Sequence, residues 1–170
     1  MICFSLLDKV GSIQHKSLKS GNYSKFEFDS ALQVVAIGSE VTVKLRSGDK
    51  TSPDRGREDL GELFQWLKNK KVKNIIKVIV VDNHKKSPCH SDEAIVRALS
   101  PFKIEILDWR KPDLCPETIR KACEGVRELH LSWSGLNGML LAWAGRDGLA
   151  NLPCLSEIYL QETQVWKNWN

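Results

Sequence analysis

The sequence has no Cys-x-x-Cys pair, no long apolar run and none of the glycine-rich signatures that cradle nucleotides. Each absence removes a class. The five cysteines, Cys3, Cys89, Cys115, Cys123 and Cys154, are odd in number and scattered, whereas secreted disulfide scaffolds use even counts at high density. No stretch approaches the roughly 18 apolar residues that a membrane-spanning helix requires. The opening Met1-Ile2-Cys3-Phe4-Ser5-Leu6-Leu7 lacks a basic lead and meets Asp8 and Lys9 at once, which does not match a secretory signal. A cytoplasmic protein with reduced thiols and no membrane contact is therefore expected. Neither G-x-x-x-x-G-K-[ST] nor G-x-G-x-x-G occurs, and Ser132-Trp133-Ser134-Gly135 is not a G-x-S-x-G elbow. No catalytic residue and no cofactor is expected on these grounds. Asp82, His84, Cys89 and His90 are metal-competent types close together, but a structural zinc site needs a second pair and none follows. No metal site is expected.

What is present fits one ordinary domain: 170 residues, 42% apolar and 27% charged. The net charge of +4 is unevenly placed, with 13 Lys/Arg against 9 Asp/Glu in residues 1–73 and 12 against 12 thereafter. A nucleic-acid binder would carry a denser basic stripe with interleaved aromatics, so nucleic acid is not the expected partner. Lys68, Lys70, Lys71 and Lys73 follow an apolar helical stripe, Leu60, Leu63, Phe64 and Leu67, and there cations oppose the helix dipole.

The most informative feature is a repeated unit, a helical stretch followed by a short apolar run. The runs are 75–81, 104–107, 126–131 and 155–160, closed by Asp82, Asp108, Ser132 and Gln161 at offsets of 26, 24 and 29. Periods in the twenties are typical of leucine-rich-repeat-like solenoids. Residues 149–160 place apolar side chains at 149, 152, 155, 158 and 160, the full rhythm of such a repeat. The run at 75–81 is apolar on both faces, as in a strand covered by helices on each side. The intervening helices carry their own signals: Ser91 as N-cap, Pro116 at a first helical position, Gly125 as C-cap and Asn137 as a cap before Met139 to Trp143. Upstream, residues 1–25 read either as a loose lead-in or as a helix around Phe4–Val10, while Phe26–Phe28, Leu32–Ile37 and Val41–Leu45 look like strands. The expected fold is α/β: a parallel sheet of right-handed βα units, leucine-rich-repeat-like, over residues 51–170. Residues 1–50 form an N-terminal β extension. A closed, Rossmann-like sandwich is the lesser alternative.

In such an array, Glu128, His130 and Ser132, then Glu157, Tyr159 and Gln161, face outward from the strands. Trp109 and Trp133 each stand one place past a strand-closing residue. Exposed, they would be an aromatic binding surface; buried, they would plug the core. The candidate binding surface is accordingly Asp82, Asp108, Trp109, His130, Ser132, Trp133, Tyr159 and Gln161. The alternative is a small-ligand or cation-binding enzyme domain in which Asp82 and Asp108 converge beyond the strand ends.

Five phrases between Gly56 and Leu160 carry a resemblance. They are Phe64-Gln65-Trp66-Leu67, Ile76-Lys77-Val78-Ile79-Val80-Val81-Asp82, His90-Ser91-Asp92-Glu93-Ala94-Ile95, Glu105-Ile106-Leu107-Asp108-Trp109-Arg110-Lys111 and Val126-Arg127-Glu128-Leu129-His130-Leu131. This stretch resembles the N-terminal, non-catalytic region of fungal intracellular proteins that carry a subtilisin-like serine protease domain. The resemblance implies a protein-interaction or regulatory module whose partner is another protein or a downstream domain of the same chain. The subtilase motifs Asp-[Ser/Thr]-Gly, His-Gly-Thr and Gly-Thr-Ser-Met are absent, so no protease residue carries over. A fragment, or a relative without the protease, is implied.

Overall fold

Apolar residues spaced three and then two positions apart set the strands. Leu32-x-x-Val35-x-Ile37, Ile75-x-x-Val78-x-Val80 and Ile104-x-x-Leu107-x-Trp109 are all buried. The computed structural model describes residues 3–6, 11–14, 18, 23, 25–44, 56–82 and 88–163. Its strands are β1 (Cys3–Leu6), β2 (Gly11–Gln14), β3 (Ala31–Ile37), β4 (Val41–Lys44), β5 (Asn74–Val80), β6 (Lys103–Pro112), β7 (Glu128–Trp133) and β8 (Glu157–Glu162). Its helices are α1 (Leu60–Asn69), α2 (Asp92–Leu99), α3 (Pro116–Ala122) and α4 (Asn137–Ala144), with a 3-10 turn at Leu149–Asn151.

Six strands form one sheet in the order β1-β3-β5-β6-β7-β8, every neighbouring pair parallel. β2 and β4 pair separately, also in parallel. The order runs in one direction, for which right-handed crossovers set the described helices on one face. That face shares a single apolar cluster with Leu63, Phe64 and Leu67 of α1, Ile95 and Leu99 of α2, and Ile119 of α3. The α/β parallel fold expected from the repeated unit is the fold observed.

Several details differ. Of the N-terminal β extension, β1 and β3 join the main sheet while β2 and β4 pair apart from it; Leu32, Val35 and Ile37 repeat the spacing found in β5. Phe4 begins no helix but lies in β1, beside Val35. Phe26 and Phe28 are in extended chain outside any strand; their rings stack, and Phe28 packs edge-on against Trp66 at 5.5 Å. Among the described residues the strand at 74–80 is covered by helices on one face only. Ile79 is half-buried, flanked within the sheet by Ala36 and Asp108. Gly125 is no C-cap; α3 ends at Ala122 and Cys123 takes the C-cap position. Asn137 begins α4 rather than capping it. Ser91 does cap α2, its hydroxyl accepting from the Ala94 amide at 3.1 Å, and Pro116 does open α3.

β8 is unlike the others. Its apolar residues Ile158 and Leu160 are aligned with Leu129 and Leu131 of β7, yet Ile158 is 50% exposed where Leu129 is fully buried. Equivalent truncations should therefore differ. Leu129→Ala should cost about 2–5 kcal/mol, the usual range for a buried leucine. Ile158→Ala should cost under about 1 kcal/mol. Urea unfolding of the two variants checks this.

Candidate functional site

Two polar clusters occupy opposite faces of the sheet. The first is internal and centres on Asp82, just past β5. One carboxylate oxygen lies 2.8 Å from His90 Nδ1; the other accepts from the His90 amide at 2.9 Å and from the Trp109 indole at 2.8 Å. His90 Nε2 lies 3.2 Å from Asp59 Oδ1. Asp59 in turn accepts from Arg57 Nε at 3.0 Å and from the Val43 amide at 2.8 Å, and Arg57 also donates to the Val41 carbonyl. The cluster so joins β4, the start of α1, the end of β5, β6 and the start of α2.

Its assembly has a backbone cause. Arg57 forms an isolated parallel bridge with His90, with Arg57 N–H bonded to Cys89 O and Ser91 N–H to Arg57 O, each at 3.0 Å. Gly56 makes this approach feasible. It has φ +81°, and a Cβ there would stand 2.8 Å from the Cys89 carbonyl oxygen. Gly56→Ala should therefore lower stability by more than about 1 kcal/mol, through both the left-handed backbone and the clash; a lowered urea midpoint is the readout.

Both ring nitrogens of buried His90 face carboxylates, and only the doubly protonated ring donates to both. Burial alone would lower the His90 pKa, but its bonds to Asp59 and Asp82 outweigh that and raise it. For Asp59, burial would raise the pKa; the bonds from His90 and Arg57 and the Arg57 charge hold it well below the usual range. Arg57 and His90 thus stand against Asp59 and Asp82 as two basic groups facing two acidic ones. Burial, then the Asp82 charge, pushes the Cys89 thiol up to about 11, so it is a poor nucleophile; it donates to the Asp82 carbonyl. Among the described residues, no group of three or more His, Cys, Asp or Glu is arranged to hold a metal ion. His84 lies outside the described residues.

The second cluster lies on the face away from the helices. Asp108, His130 and Tyr159 stand in register on β6, β7 and β8. On each strand an acid bonds the residue two places on, the spacing that keeps both on one face. Asp108 takes Arg110 Nη2 at 2.9 Å, Glu128 lies 2.6 Å from His130 Nε2, and Glu157 accepts from the Tyr159 hydroxyl at 2.8 Å. His130 and Tyr159 stack with centroids 4.7 Å apart. Past Asp108 the ladder is interrupted: Asp108 pairs His130 but Pro112 pairs Ser132, so β6 carries extra residues. At this irregularity lies a cleft of about 120 Å³ lined by Asp108, Arg110, His130, Ser132, Tyr159 and Gln161, with Leu131 and Leu160.

Comparison with family models, curated proteins and solved structures finds no match for this chain. The site is therefore judged on its geometry.

Five of the eight expected surface residues, Asp108, His130, Ser132, Tyr159 and Gln161, meet at this one cleft. The other three do not. Asp82 is internal, and Trp109, 1% exposed, plugs the core against Phe64. Neither can contribute to a surface. Trp133 is half-buried, its indole donating to the Leu136 carbonyl at 2.9 Å. The two tryptophans are not equivalent neighbours, because Trp109 follows Asp108, which pairs His130. Asp82 and Asp108 do not converge either. Asp82 binds the indole of Trp109, and Asp108, the adjacent residue, points to the other face. Trp166 and Trp169 lie outside the described residues. Sequence reasoning missed Arg57, Asp59 and Arg110. Arg110 was findable, since i+2 from an outward Asp108 is also outward. Asp59 was not, being 31 positions from His90 and indistinguishable from a helix-start acid.

The internal cluster has a pH signature. A histidine whose folded pKa is raised adds stability that is fully present below about pH 6.5, its unfolded value, and is lost as pH rises through the folded pKa. Asp59, with a lowered folded pKa, adds stability above about pH 4 that is lost in acid. His90→Gln should remove about 3 kcal/mol and flatten the decline of stability above about pH 6.5. Urea midpoints measured across a pH series check both effects.

Proposed function

We propose that this protein is a non-catalytic protein-interaction or regulatory module that binds through the open face of its parallel sheet, centred on Asp108, Arg110, His130, Ser132, Tyr159 and Gln161. The observation that carries the proposal is the in-register row Asp108, His130 and Tyr159 beside the cleft. Each acid on this face is bonded to a neighbour on its own strand, and most of these residues are partly exposed. Asp108 and Ser132 are buried, whereas Arg110, Glu157, Tyr159 and Gln161 are exposed and Glu128 and His130 partly so; bonds among exposed groups contribute about 0–1 kcal/mol, so a partner can exchange those for its own contacts at little cost. The alternation of outward polar residues with inward aliphatic ones supports a leucine-rich-repeat-like array, in which the strand surface is the usual contact face. The resemblance to the N-terminal region of subtilase-bearing proteins supports a regulatory role within a longer polypeptide, toward a downstream domain or a separate protein. The unpaired state of all five cysteines supports a reducing, cytoplasmic setting. Asp82 and Asp108 lie on opposite faces, which favours the binding reading over the enzyme alternative. Among the described residues no helix is long and apolar enough to cross a membrane.

The test is affinity capture with the purified domain. Asp108→Ala combined with Tyr159→Ala should lose a partner that the parent chain retains, with melting temperature unchanged within about 3 °C. Lys121→Ala, on α3, should keep it. Loss with both variants, or with neither, refutes the face.

A further inference from the structure

We infer that β8 is a self-pairing edge, and that two copies of this chain join through it in an antiparallel, two-fold manner centred on Tyr159. This goes beyond the open-face function and does not rest on it. β8 ends the sheet and pairs only with β7 among the described strands. It has six residues, Glu157-Ile158-Tyr159-Leu160-Gln161-Glu162, all exposed. Soluble proteins guard such edges with lysine, proline, bulges or a covering element. β8 contains no lysine or proline, its pairing with β7 is regular throughout, and Ile158 and Leu160 are about half exposed. The opposite edge, β1, has only four residues.

The residue order selects the partner. A two-fold axis through Tyr159 places Ile158 opposite Leu160 of the second copy and Leu160 opposite its Ile158. Four aliphatic side chains then form one stripe on the helix side. On the open face, Glu157 opposes Gln161, whose amide can donate to the carboxylate, and the two Tyr159 rings adjoin. Glu162 opposes Ser156. No like charges face each other, which directly opposed acids would penalise. Moving the axis to Leu160 sets Ile158 against Glu162; moving it to Ile158 sets Leu160 against Ser156. Only the Tyr159 axis matches apolar with apolar throughout. The interface is isologous and closes at two copies, and it sets two open-face clefts side by side on a continuous sheet.

Sedimentation equilibrium of the full chain tests this. The mass should rise with concentration from 19.3 kDa toward twice that value and no further. Ile158→Lys with Leu160→Lys should hold it at the monomer mass, with an unchanged circular dichroism spectrum because both residues are exposed. A second route keeps the apolar pair Ile158 and Leu160. In a Cys3→Ser, Cys154→Ser background, which removes the exposed thiols, Tyr159→Cys should form a disulfide-linked dimer on air oxidation. Gln161→Cys should not, since its counterpart lies far along the partner strand, beyond the roughly 7 Å Cα separation that a disulfide bridges. A monomer mass at every concentration, a rise that survives the lysine pair, or growth beyond two copies overturns the proposal. So does equal cross-linking of the two cysteine variants.

Discussion

The Asp82 carboxylate holds the interior polar cluster together. A buried charge is tolerated only when paired and hydrogen-bonded, and Asp82 meets that condition with three donors from two different segments: the amide and ring of His90 and the indole of Trp109. Remove the acid, and a buried imidazolium, a backbone amide and an indole all lose their partner. The same carboxylate obliges the chain at 88–91 to lie against the end of β5. That placement lets Gly56 and Arg57 pair with it, and brings Asp59 to the far side of His90. Lys111 then donates to the His90 carbonyl and bonds Asp92, which also takes the Thr118 hydroxyl. The start of α2 is tied in this way to β6 and α3.

One-directional winding does the rest. With the described helices on one side, charges on that side are satisfied internally, and among the described residues the other side carries no helix. The two faces accordingly handle their acids differently. Inside, Asp59 and Asp82 are locked by several donors each. Outside, Asp108, Glu128 and Glu157 are bonded within their own strands at i+2. The first arrangement stabilises and resists exchange. The second keeps Asp108 buried beneath Arg110 but leaves the exposed members, Arg110, Glu157 and Tyr159, free to rearrange around a partner.

Much of this was legible from local pattern. Alternation and helical spacing locate β3, β5, β6, β7 and β8, and the signals at Ser91 and Pro116 locate α2 and α3, because each depends only on residues a few positions apart. Outward orientation of His130, Ser132, Tyr159 and Gln161 follows from the same alternation. What escaped depends on register. Taking Asp82, Asp108, Ser132 and Gln161 as equivalent strand ends assumed equal strand lengths. β6 in fact runs on to Pro112 and slips against β7, so Asp108 aligns with His130, and Asp82 lies beyond Val80, the partner of Trp109. A one-residue difference in parity is enough to send Asp82 inward and Asp108 outward. The internal cluster escaped for a further reason, since its members are drawn from sites as distant as Arg57 and Trp109, and the Asp59–His90 contact alone spans 31 residues.

The slip in β6 connects the two faces. Extra residues between Asp108 and Pro112 interrupt the ladder, and bulges of this kind re-aim side chains. Trp109 turns inward to Asp82, Arg110 outward to Asp108, and Lys111 back toward His90 and Asp92. Three consecutive side chains therefore serve, in turn, the core, the open cleft and the helix start. A regular β6 would keep Asp108 opposite His130 but would bring Arg110 level with Ser132 and close the gap between them. The irregularity that defeats simple counting along the sequence is what opens the cleft, and the buried Asp82–Trp109 bond holds it in place.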